Sequence, residues 1–151
     1  MRFLLTREVG KLATWLRILG FDALYSCEEA RGAIIIQALR ADRIVITRNR
    51  HLSCGRGVRI VVLKSERVQE QLSETVAALG IKLSLEQVFS RCVLCNVALQ
   101  RIDKETIESR VPDYVVRTQE AFFTCPVCGR LYWRGTHWGA VAAAIRALAG
   151  D

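Results

Sequence analysis

Two cysteine pairs carry the clearest chemistry in the chain: Cys92-x-x-Cys95 and Cys125-x-x-Cys128, with 29 residues between the pairs. A C-x-x-C knuckle turns two thiolates toward one point, and two knuckles complete the closed tetrahedral site of a structural zinc ion. A redox dithiol needs a single pair; a second pair, followed by Gly129, favours structural zinc. Closure leaves no coordination position for a substrate, so the cluster reads as a staple for a small module. Cys27 and Cys54 remain, each after an apolar run, with His51 shortly before Cys54. Cys27, His51 and Cys54 lack a fourth metal ligand, and a nucleophilic cysteine would need a third group to orient the histidine, so they read as inert.

The second constellation is cationic. Residues 48–57 read RNRHLSCGRG, a glycine-containing loop that holds Arg48, Arg50 and Arg56 and no acid. Guanidinium forks on such a loop suit phosphate oxygens, which they grip bidentately. Upstream, Arg7, Lys11 and Arg17 fall opposite an apolar stripe of Val9, Leu12, Ala13, Leu16 and Leu19, with Trp15 at the margin. Cations beside an aromatic ring can hold a sugar-phosphate backbone while stacking a base; a snorkelling solvent face competes for this helix taken alone. After the last cysteine, Tyr132, Trp133, Arg134, His137 and Trp138 form either a stacking surface or packing against the rest of the chain.

These groups need a scaffold, and 151 residues suffice for one domain, or one domain plus an appendage, with a real core. Apolar residues at 51% and charged residues at 25% exclude a disordered or low-complexity chain. The net charge of +7 is unevenly placed: residues 1–64 hold 12 basic and 5 acidic side chains, whereas residues 65–151 hold 10 of each. A field concentrated in this way favours a polyanion such as nucleic acid, or an acidic membrane surface, with a solvated basic face as the alternative that surplus alone leaves open. No apolar run approaches the roughly 18 residues of a membrane span, and Arg2 followed by Phe3, Leu4 and Leu5 makes no secretory signal. The expectation is a cytoplasmic protein with reduced thiols.

Short β-rich runs predict strands at Phe3 to Leu5, Ala23 to Ser26, Ile44 to Thr47 and Val58 to Leu63. Helical periodicity predicts a helix around Val9 to Leu19, a second from Glu28 to Arg40 with two acids in its first turn, and a third from Glu66 to Leu79. Another short helix or hairpin is expected around Asp103 to Arg110, and Val141, Ala144, Ile145 and Leu148 mark a terminal helix that docks. Strands alternating with helices imply right-handed βαβ units and a parallel α/β sheet covered on both faces. Ligands bind such sheets at the strand ends, which here places Thr6, Arg7, Cys27, Glu28 and Arg48 to His51 on one basic rim. After the first strand there is neither a dinucleotide fingerprint nor a Walker-type phosphate loop.

Four stretches resemble the Mut-seven C-terminal ribonuclease domain family: RFLLTREVGKLATWLRILGFD at 2–22, RIVITRN at 43–49, FSRCVLCN at 89–96 and YWRGTHW at 132–138. The resemblance implies a PIN-like α/β nuclease domain followed by a C-terminal zinc ribbon, which divides the chain at 1–84 and 85–151. It also implies RNA as substrate, and clustered carboxylates that hold magnesium or manganese to activate water. Three family acids have no counterpart. The first strand ends in Thr6, the third-strand motif ends in Asn49, and the start of the second helix offers Arg31 and Gly32. Glu8, Asp22, Glu28 and Glu29 are near in sequence but not at those positions.

The leading expectation is an RNA-binding protein on a nuclease scaffold whose activity is weakened or lost. Lys11, Trp15, Arg17, Arg48, Arg50, Arg56, Trp133, Arg134 and His137 are its RNA contacts, and Cys92, Cys95, Cys125 and Cys128 its zinc ligands. The alternatives are an active divalent-metal-dependent ribonuclease and a protein-interaction module whose ribbon docks a ribonucleoprotein or a protein partner.

Overall fold

The computed structural model describes residues 1–52, 57–107, 109–135 and 137–149, with residues 137 and 149 described by backbone alone. Arg56, Cys54 and the side chain of His137 therefore lie outside the described residues.

The chain runs β1 (Arg2–Leu5), α1 (Gly10–Ile18), β2 (Asp22–Tyr25), α2 (Arg31–Ala41), β3 (Ile44–Thr47), β4 (Ile60–Val62) and α3 (Val68–Leu79). It continues through β5 (Gln100–Ile102), α4 (Lys104–Ile107), α5 (Asp113–Thr118), β6 (Phe122–Thr124), β7 (Leu131–Trp133) and α6 (His137–Ala149). The first four strands form a wholly parallel sheet in the order β2-β1-β3-β4.

Alternation along each strand divides the core between two faces. Phe3, Leu5, Ala23, Ile46 and Val61 join α1, α3 and α6 on one face. Leu4, Val45, Leu24 and Ile60 meet Ile34 and Ala38 of α2 on the other. Helices on both faces are what a sheet with no solvent-facing side demands. From the far end of the chain, α6 contributes Val141 and Ile145 to the first of these cores.

Two helix starts differ from the periodicity. The second helix begins at Arg31, with no acid in its first turn, so Glu28 and Glu29 precede it. Ser26 Oγ accepts from the Glu28 amide at 3.2 Å and donates to Gln37 at 2.8 Å, and Glu29 pairs with Arg7. These bonds hold the segment outside the helix, where hydroxyl and carboxylate groups compete with helical backbone pairing. The third helix begins at Val68 because Gln71 turns back to the Ser65 and Glu66 carbonyls at 3.0 and 3.3 Å.

The remaining strands form an antiparallel sheet, β5-β6-β7, with its own small core of Ile107, Val111, Val115 and Phe122. No helix among the described residues is long and apolar enough to cross a membrane.

Candidate nucleic-acid interface and metal centre

The two knuckles fold alike. Cys95 N donates to Cys92 Sγ at 3.4 Å and Cys128 N to Cys125 Sγ at 3.5 Å. Each turn closes on a residue of positive φ, Asn96 at 58° and Gly129 at 70°, whose amides return to the Cys92 and Cys125 carbonyls. The four sulfurs lie within 4.8 Å of one another. Cys92 and Cys128 are 3.8 Å apart, which matches the edge of about 3.8 Å of a tetrahedron with metal–sulfur bonds of about 2.3 Å. Tyr132 accepts from Val93 N at 3.3 Å and points its hydroxyl at Cys92 Sγ, 3.1 Å away. Burial pushes the Cys92 thiol up, but the Cys95 amide and the Tyr132 hydroxyl outweigh it and hold the pKa below its ordinary value. The cluster can hold a metal ion such as zinc, with Tyr132 as the outer partner that orients a ligand. Spacing alone gave no sign of Tyr132's role.

Arg17 is turned toward this centre. Its guanidinium donates to the Val93 and Leu94 carbonyls at 2.8 and 3.1 Å, and its Nε to the Ala23 carbonyl at 2.8 Å. At the end of α1 the first knuckle covers Arg17, which thereby clamps the helix to the cysteine turn. Asn96 completes the junction: it accepts from Ala23 N at 3.0 Å and donates to Asp22 at 2.7 Å. Asp22 in turn takes a bidentate pair from Arg43 at 2.7 and 3.0 Å. The knuckle thereby satisfies polar groups along the edge strand β2 that would otherwise invite another strand.

At the carboxyl ends of β1 and β3, Thr6 and Thr47 are both buried, their hydroxyls 2.9 Å apart. One carboxylate reaches them. Glu8, on a 3₁₀ turn formed by Arg7–Val9, accepts from Thr47 Oγ1 at 2.6 Å and from the Arg48 and Asn49 amides, each at 3.2 Å. Burial pushes this carboxyl up, yet the hydrogen bonds, that from Thr47 foremost, leave it below the usual carboxylate value. The strand-end position is therefore filled by Glu8, although its place in the sequence lies outside the positions of the family acids. Its signal was short reach, three residues past the end of β1, over a turn that the spacing did not reveal.

Magnesium or manganese does not fit this arrangement. A hard cation needs several charged oxygens, whereas Glu8 has Oε1 engaged in three hydrogen bonds and its neighbours Thr6 and Asn49 are neutral. Among the described residues, the four cysteines form the sole group of three or more acidic, histidine or cysteine ligands close enough to share an ion.

The other expected contacts separate into two places. Lys11 lies in a cleft of about 580 Å³ with Arg7, Glu8, Glu66 and Arg67. Arg48 borders it, paired with Glu66 at 2.9 Å, and Arg50 is exposed on the following turn. Trp15 and Trp133 line a second cavity, beside Trp138, over whose ring the Arg134 guanidinium stacks at 4.3 Å. Trp133 also packs on Phe122, ring centres 6.3 Å apart, so part of its surface serves the small core. Cys27 is exposed, apart from the four-cysteine cluster.

Comparison with curated proteins and with solved structures gives no match. A model of the Mut7-C RNAse domain matches residues 1–145, a span that runs from β1 through both knuckles and into α6. With nearly the whole chain covered and the parallel sheet and cysteine cluster both in place, the protein belongs to the Mut7-C RNAse domain family.

Proposed function

We propose that this chain binds RNA on a PIN-like ribonuclease scaffold and does not cleave it by the family's metal-dependent route. The carrying observation is the Glu8 carboxylate at the strand ends, which lies between the neutral Thr6 and Asn49 and whose Oε1 takes three hydrogen bonds from the protein. A nuclease site of this kind draws a divalent cation with converging negative charge, whereas here one carboxylate is spent on backbone amides. Residues 1–84 supply the basic surface and residues 85–151 the ribbon, with zinc as the ion on Cys92, Cys95, Cys125 and Cys128. Lys11, Arg48 and Arg50 are the phosphate contacts, in a cytoplasmic setting that keeps the thiols reduced. Lys11 and Arg50 make no ion pair among the described residues, which leaves their charge for phosphate.

An active ribonuclease has one observation in its favour: Glu8 and Glu66 line the same cleft. Against it, Glu66 is bound to Arg48. Incubation of zinc-loaded protein with single-stranded and structured RNA in magnesium or manganese separates the readings. Binding without cleavage is expected, and metal-dependent cleavage abolished by Glu8→Gln would establish the enzyme instead.

A further inference from the structure

The cavity that holds Trp15 and Trp133 measures about 800 Å³ and opens between the parallel-sheet part and the ribbon. Six aromatic rings line it: Trp15, Phe89, Tyr114, Tyr132, Trp133 and Trp138. Its size is that of a small-ligand site, and its walls come from α1, α5, β7 and α6 together. Among the described residues no carboxylate lines it. Arg130 is the one charged wall residue among those described, and the Gln119 amide and Thr14 hydroxyl add polar groups beside the rings. Tyr114 stands at the mouth with 66% of its surface exposed.

Helix α1 joins this cavity to the basic cleft. Gly10 and Lys11 line the cleft, while Thr14, Trp15 and Ile18 line the cavity. Lys11 and Trp15 are one turn apart on the same helix, an axial rise of about 6 Å. A strand whose phosphates meet Lys11 thus needs to advance by only about one helical turn to bring a base over the aromatic walls.

Resting on the RNA-binding reading above, we infer that the aromatic cavity is a nucleobase site, which takes one or two unstacked bases of a single-stranded RNA whose backbone crosses the cleft at Lys11. Flat rings accept any base by its π face, the amide and hydroxyl groups can meet base edges, and a positive wall without acids suits a polyanion. An uncharged apolar peptide would match the rings but would leave Arg130 and the adjoining Lys11 without a counterpart.

The test compares a 12-nucleotide ribo-oligoadenylate with an abasic ribose-phosphate chain of equal length, both titrated onto the zinc-loaded full chain. Binding is followed by anisotropy and by quenching of tryptophan fluorescence. The base-bearing strand is expected to bind about tenfold tighter or more and to quench the tryptophans. Tyr114→Ala, at an exposed position, and Ala140→Phe, which narrows the mouth, should each remove most of that advantage and leave abasic binding unchanged. Equal affinity of the two chains, without quenching, would overturn the base site and leave RNA binding standing. Absence of binding by both chains would overturn the RNA-binding reading and this site with it. An advantage of the base-bearing strand that both variants retain in full would show that the bases lie elsewhere and overturn the site.

Discussion

Glu8 turns a loss of acids into a specific local structure. With Thr6 and Thr47 as neutral neighbours, its carboxylate replaces intersite repulsion with three hydrogen bonds, and its pKa lies below the ordinary value of 4.5. A carboxyl of lowered native pKa binds its proton more readily in the unfolded chain. Its stabilisation is therefore fully present above the ordinary value and lost as pH falls through the lowered native value. Thermal melts should show wild type more stable than Glu8→Gln at pH 7, with the gap closing at pH values below about 4; a gap independent of pH would mean that the charge is irrelevant. Restoring acids tests the same place from the other side. In Thr6→Asp, Asn49→Asp, like charges meet near Glu8, so the double variant should melt below wild type in chelator and recover in magnesium. Wild type should show no such recovery, because there Glu8 has no second carboxylate at position 6 or 49 to share the cation.

Elements are joined here by backbone fit as much as by apolar contact. Gly20, just beyond α1, has φ of 90°, and a methyl group there would stand 2.5 Å from the Gln87 carbonyl and 2.8 Å from Ser90 Oγ. Gly20→Ala should cost more than about 1 kcal/mol in denaturant melts. Gly32 in α2 has nothing within 4 Å of the same position, so Gly32→Ala should stabilise by about 0.5–1 kcal/mol. The clamp from α1 to the first knuckle makes a different prediction. Arg17→Gln should weaken metal retention in chelator competition by about tenfold or more, as loss of an outer partner does. Its RNA affinity in metal-saturated protein should stay close to that of wild type, whereas a phosphate contact would lose affinity on every sequence.

On the scale of the molecule, charge and metal are segregated. Four thiolates around one divalent ion would carry −2, which takes the chain from +7 to +5 and leaves the surplus in residues 1–64. RNA affinity should fall linearly on a log–log plot against salt, with a slope of about 0.7 per phosphate neutralised. Lys11→Glu and Arg50→Glu should each flatten it, and affinity independent of salt would favour a protein partner for the ribbon.

The sequence by itself determined the strand and helix alternation, the parallel sheet and the cysteine quartet. Each of these is written in local periodicity or in the fixed spacing of ligands, which short-range geometry enforces. The alternation of Phe3, Leu4 and Leu5, for instance, already assigns each side chain to a face. Only the tertiary structure decided what the polar groups do. Arg17 was a cation on a helix face until the knuckle carbonyls, 76 and 77 residues away, came to cover it. Glu8 was an acid beside the family positions until β1 and β3 came together, with Thr47 on β3 and the amides beyond it within its reach. Hydrogen-bond partners far apart in the chain leave no periodic trace, and the free energy of a charged group is set by whichever dipoles and carbonyls the fold places around it.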